Sequence, residues 1–76
     1  LSMYPIPAST VLNIQSSMDL SAGAVVNVYN AQGRMVMTLH ANESNLAIDI
    51  QNLESGIYFV EINNGSEIVK SKFQKL

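Results

Sequence analysis

Apolar and polar residues alternate along most of the chain. Leu12 and Ile14 flank Asn13, Val26 and Val28 flank Asn27, Ile48 and Ile50 flank Asp49, and Val60 and Ile62 flank Glu61. A period of two is that of a β-strand with one face buried. It sends Leu12, Ile14, Val26, Val28, Leu46, Ile48, Ile50, Tyr58, Val60 and Ile62 inward and leaves Asn13, Asn27, Asp49 and Glu61 to water. The clearest stretch runs from Ile48 to Ile62: a strand, a turn at Glu54-Ser55-Gly56, then a strand rich in β-branched and aromatic residues. The spacing predicts strands over 11–15, 24–29, 34–40, 46–50, 57–63 and 67–74.

The third of these strands has two apolar faces. Met35, Met37 and Leu39 lie on one, and Val36, Thr38 and His40 on the other, so the methionine face is either core or a partner-facing surface. Ile57 and Phe59 share the solvent-leaning side of Glu61; they pack under the N-terminal segment or mark a binding surface. Asn30-Ala31-Gln32-Gly33 has the residues of a type I turn closed by a left-handed glycine, and Asn64-Gly65 those of a type I′ hairpin. The longer polar loop over 40–45 lets the strands beside it sit in different sheets or meet through an irregular turn. Prolines occur only at positions 5 and 7, so residues 1–10 read as an extended lead-in. The one helical candidate, 51–55, is at most a single turn. These elements predict an all-β fold, an immunoglobulin-like antiparallel β-sandwich of six or seven short strands, with a small barrel as the alternative.

Composition narrows the functions. A chain of 76 residues is one domain, and without cysteine it must fold on its apolar core alone. The charged fraction of 13% is about half the usual quarter. Arg34 is the only basic residue before position 70, while Lys70, Lys72 and Lys75 cluster at the end. The lysines form a recognition tail or guard an edge strand against aggregation. An acidic body with one arginine lacks the basic stripe that nucleic acid requires. No apolar run approaches the roughly 20 residues of a membrane-spanning helix.

Little in the sequence is equipped for catalysis or for holding a cofactor. His40 is the sole histidine and has no nucleophile or cysteine in a recognisable pattern around it, and no acidic spacing matches a calcium loop. The four glycines are isolated, so no phosphate-binding loop forms. Asn42-Glu43-Ser44 and Asn64-Gly65-Ser66 fit a short glycosylation pattern but read as loop residues. Neither a cofactor nor a metal is expected.

Taken in order, Tyr4-Pro5-Ile6-Pro7-Ala8, Leu12-Asn13-Ile14, Val28 through Arg34, Ile48-Asp49-Ile50, Leu53 through Ile62 and Lys72-Phe73-Gln74-Lys75-Leu76 resemble the type A C-terminal sorting domain of proteins exported by the type IX secretion system of Bacteroidetes. The resemblance covers nearly the whole chain. One position departs from it: the family usually opens with Pro-Asn-Pro, and here Ile6 stands in the middle. Pro5, Pro7, Gly33, Gly56 and Tyr58 match family motif positions, and the resemblance assigns recognition by the translocon to Lys70, Lys72, Phe73, Lys75 and Leu76. It implies a noncatalytic address on the end of a larger cargo, read by an outer-membrane translocon, a shuttle protein and a sortase. The cargo would pass through the periplasm to the cell surface or the medium. The alternative is an immunoglobulin-like adhesion or carbohydrate-binding module presenting Ile57, Phe59 and the methionine face. Exposed strand edges also make exchange into a homodimer feasible.

Overall fold

The computed structural model describes residues 1–5 and 7–76. Ile6, which departs from the family's opening motif, lies outside the described residues. Seven strands form two antiparallel sheets: β1 (Ser2–Tyr4), β2 (Val11–Gln15), β3 (Ala24–Asn30), β4 (Met35–Ala41), β5 (Asn45–Asp49), β6 (Gly56–Asn63) and β7 (Ile68–Lys75). One sheet has the order β1-β2-β5 and the other β4-β3-β6-β7. All six expected strands are present with ends within two residues, and the described residues contain no helix. The seventh, β1, falls within the expected lead-in, where Ser2, Met3 and Tyr4 pair with Gln15, Ile14 and Asn13. A three-residue strand holding one half-buried apolar side chain is too short for an alternation to register.

The alternating positions form the core. Leu12, Ile14 and Ile48 come from one sheet, with Ile50 just past the end of β5, and Val26, Val28, Val60, Ile62 and Phe73 from the other; all are at most 3% exposed. Met18 and Leu20, on the segment joining β2 to β3, are also buried. Each fully buried side chain of this size contributes roughly 1.5–3 kcal/mol. The loop between β4 and β5 carries the chain from one sheet to the other, the first of the two alternatives expected for it.

Two turns repay comparison. In the β3–β4 hairpin the Gly33 N–H donates to the Asn30 carbonyl at 3.0 Å, and the Asn30 side-chain oxygen accepts from the N–H groups of Gln32 and Arg34. Gly33 has φ +85°, a conformation that strains any residue bearing a Cβ. The β6–β7 hairpin forms, but not as type I′: among the described residues no non-glycine φ is positive, so Asn64 cannot occupy the first turn position that type requires. The ladder closes at Asn63 opposite Ile68, leaving a four-residue loop. There the Asn64 side-chain oxygen accepts from the N–H groups of Ser66 and Glu67. An asparagine side chain thus supplies the turn that backbone twist was expected to supply.

A β-bulge resolves the two apolar faces of β4. Val28 pairs with Met37 but Tyr29 with Met35, so Val36 is the extra residue. Met37 and Leu39 therefore follow Val28 and Val26 towards the core, whereas Met35 is carried to the outer face with Tyr29 and is 50% exposed. The methionine face of the sequence is split by one residue.

Candidate recognition surface

Of the two faces of the four-stranded sheet, the outer one collects the polar and charged side chains of β3, β6 and β7. Register places Asn27 beside Glu61, Tyr29 beside Phe59, Glu61 beside Lys70, and Phe59 beside Lys72. Residues directly opposite in antiparallel strands share a face, so these form one continuous surface. Glu61 is its hub, accepting from the Asn27 side-chain nitrogen at 3.4 Å and the Tyr29 hydroxyl at 3.3 Å, with Lys70 Nζ at 3.8 Å. Thr38 donates to Asn27 Oδ1 at 2.7 Å, extending the network to β4. Lys70 also lies 5.5 Å from the centre of the Tyr29 ring. Partial withdrawal from solvent, then the Glu61 carboxylate, raise the Tyr29 hydroxyl above its ordinary pKa.

Apolar side chains interleave with this network. Ile57, Met35, Val25 and Ile68 are 38%, 50%, 37% and 63% exposed, and Phe59 is half-buried between Tyr29 and Lys72. The described part of the N-terminal segment lies elsewhere: β1 belongs to the other sheet and Ala8 sits at the edge of β7. Ile57 and Phe59 therefore do not pack beneath it, contrary to the first of the two expectations for them.

The recognition residues expected from the sequence divide by strand parity. Lys70 and Lys72 project from the outer face, and Leu76 is exposed at the end of β7. Phe73 and Lys75 point inward. Phe73 is 2% exposed and stacks on Tyr58, its cross-strand partner, with ring centres 5.5 Å apart. Lys75 is 8% exposed and donates to the Leu76 carbonyl at 3.0 Å.

The motif residues sit at structural joints. Gly56 opens β6 with φ +151°, and two residues later the Tyr58 hydroxyl donates to the Glu54 carbonyl at 2.7 Å. That bond fastens the corner where the chain leaves β5 for the other sheet, the arrangement known from immunoglobulin-like sandwiches as a tyrosine corner. Pro5 and Pro7 are exposed where the chain passes from β1 towards β7. There Ala8, fully buried, forms a parallel bridge with Lys75: its N–H donates to the Gln74 carbonyl at 2.9 Å, and its carbonyl accepts from the Leu76 N–H at 2.8 Å. Alternation along a strand could not reveal this bridge, because it joins residues far apart in sequence, Ala8 and Lys75.

A groove of about 590 Å³ at one end of the sheet is lined by Val25, His40, Asn42, Asn63 and Asn64 among others, with no carboxylate in its lining. Asn63 and Asn64 already use their side-chain oxygens in the hairpin. Among the described residues no group of three or more histidine, cysteine or acidic side chains could hold a metal ion.

A family model described as the secretion system C-terminal sorting domain matches residues 2–75. Over 73 residues the chain is 38% identical to a β-agarase D of Zobellia galactanivorans, covering 95% of this chain but 14% of that protein. A match over all seven strands of the sandwich makes this chain a member of the C-terminal sorting domain family of type IX secretion.

Proposed function

We propose that this domain is a noncatalytic address that directs an attached cargo across the outer membrane of a Bacteroidetes cell through the type IX machinery. The carrying observation is the family match over residues 2–75, which spans the entire sandwich and not a fragment of it. The geometry supports the same reading. Buried polar side-chain atoms among the described residues are all hydrogen-bonded within the fold, whereas Lys70 and Lys72 stand on an accessible, partly apolar face. With the Lys70 side chain 55% exposed, its pairing with Glu61 is worth at most about 1 kcal/mol, so folding makes small use of that charge.

The surface read by the machinery is then Lys70, Lys72, Ile57 and Phe59, with Leu76 beside them, while Phe73 and Lys75 act by holding β7 in place. Engagement by a translocon and shuttle protein, removal by a sortase and delivery of the cargo to the surface belong to the same proposal. A periplasm-targeted reporter fused ahead of residues 1–76 should reach the surface or medium of a type IX-competent bacterium. Lys70→Glu/Lys72→Glu in that fusion should reduce export while the domain keeps a cooperative thermal transition, with stability lowered by about 1 kcal/mol or less where the glutamate at position 70 faces Glu61. A wild-type fusion retained in the periplasm would remove the proposal.

A further inference from the structure

Strand β7 closes one side of the four-stranded sheet, and the N–H and C=O groups of successive residues alternate between β6 and the open edge. Ala8 fixes the phase. Its two bonds engage the Gln74 carbonyl and the Leu76 N–H, so residues 74 and 76 face away from β6. The β6–β7 register is unbroken, and stepping back by two makes Ile68, Lys70 and Lys72 face the same way. Among the described residues, no backbone hydrogen bond reaches those groups. The same three residues carry their side chains on the outer face.

We propose that the β7 edge over Ile68, Lys70 and Lys72 takes up a short extended segment of another polypeptide as an added strand, with acidic side chains at alternate positions beside the two lysines. The inference deepens the sorting function above and rests on it for where such a partner is met. Three features select this edge and its occupant. The opposite edge, β4, is bulged at Val36, which twists a strand away from further pairing. In the other sheet β1 has three residues, and β5 carries Asp49, which opposes an acidic strand. Lys72 forms no ion pair among the described residues, and Lys70 keeps most of its side chain in water.

Alternation gives the partner a second requirement. Its intervening residues would face the seam between the sheets beside half-buried Val69 and Ser71, which suits small apolar side chains. A second copy of this chain is a poor occupant, because antiparallel addition of β7 to β7 brings lysines together. The edge lysines that discourage self-pairing thus admit an acidic strand. Ala8 already demonstrates that the end of this edge accepts backbone pairing.

The probe is a synthetic peptide of alternating glutamate and valine, titrated into the 76-residue chain with amide hydrogen exchange followed by NMR. Exchange at Ile68, Lys70 and Lys72 should slow, while their β6-facing neighbours Val69 and Ser71 stay unchanged. The same peptide N-methylated at its edge-facing amides should bind about tenfold more weakly or worse, as should the peptide to Lys70→Glu/Lys72→Glu. Absence of protection at the three amides, equal binding of the methylated peptide, or protection caused by dimerisation without peptide would overturn the proposal. The reporter fusion is an independent readout. An exported wild-type fusion with no protection removes strand addition alone, whereas a retained fusion removes the sorting function whatever the peptide does.

Discussion

Tyr29 shows how a residue read as ordinary strand becomes a sensor of its neighbours. Withdrawal from solvent, the charge of Glu61 and the hydrogen bond to it all keep the phenol protonated above its ordinary pKa of 10.0, while Asn27 acts in the other direction. The associated stability is complete below the unfolded phenol's pKa and is lost as pH rises from there through the higher folded value. Glu61→Gln should bring the Tyr29 midpoint back towards 10.0 but not fully, since the share due to withdrawal from solvent remains; ring-carbon shifts in an alkaline NMR titration measure it. An unchanged midpoint would mean that the Glu61 contact is not maintained in solution. Alternation placed Glu61 on the wet face correctly. It could not show that Asn27 and Tyr29 meet Glu61 and Lys70, because β3 must first be put in register with β6, more than 30 residues further along.

At the scale of elements, the corner between β5 and β6 concentrates the consequences of a few residues. Tyr58→Phe keeps the stack on Phe73 and deletes only the bond to the Glu54 carbonyl, so it should lower stability by about 1 kcal/mol. A urea unfolding midpoint should fall with no change of slope. An inward aromatic with a bonded hydroxyl was legible from Tyr58 and its alternation with Val60 and Ile62. The bulge at Val36 was not, since a period-two reading assumes a constant phase and a bulge is a property of two strands together. The loop at Asn64 was missed for a related reason: Asn-Gly fits several turns, and the side-chain bonds from Asn64 decide among them. The hairpin at Gly33, where one asparagine and one glycine each meet a specific need, was read correctly.

For the whole molecule, the last strand is architecture before it is signal. Deleting residues 71–76 removes Phe73 from the core, Lys75 from opposite Gly56 and both bonding partners of Ala8. Loss of a buried phenylalanine alone costs roughly 3–5 kcal/mol, a large part of the 5–15 kcal/mol typical of domains. The truncated chain should show no cooperative thermal transition by circular dichroism, whereas Lys70→Glu/Lys72→Glu should retain one. Export lost with the truncation would therefore report unfolding, and only the surface double variant reads recognition. A resemblance carried by an ordered set of motifs identified the family, since those motifs take in core strands as well as turns. It could not divide the terminal residues into inward and outward sets, which strand parity does.

The bridge at Ala8 carries one more consequence. Its segment runs parallel to β7, with the chain leaving upstream from one side and downstream from the other. Once the three-residue pairing of β1 with β2 has given way, tension between the two ends of the domain would thus load the two backbone bonds of the bridge sideways and simultaneously, in shear, instead of unzipping them in turn. A cargo hauled from its N-terminal side would then have to break both bonds at once.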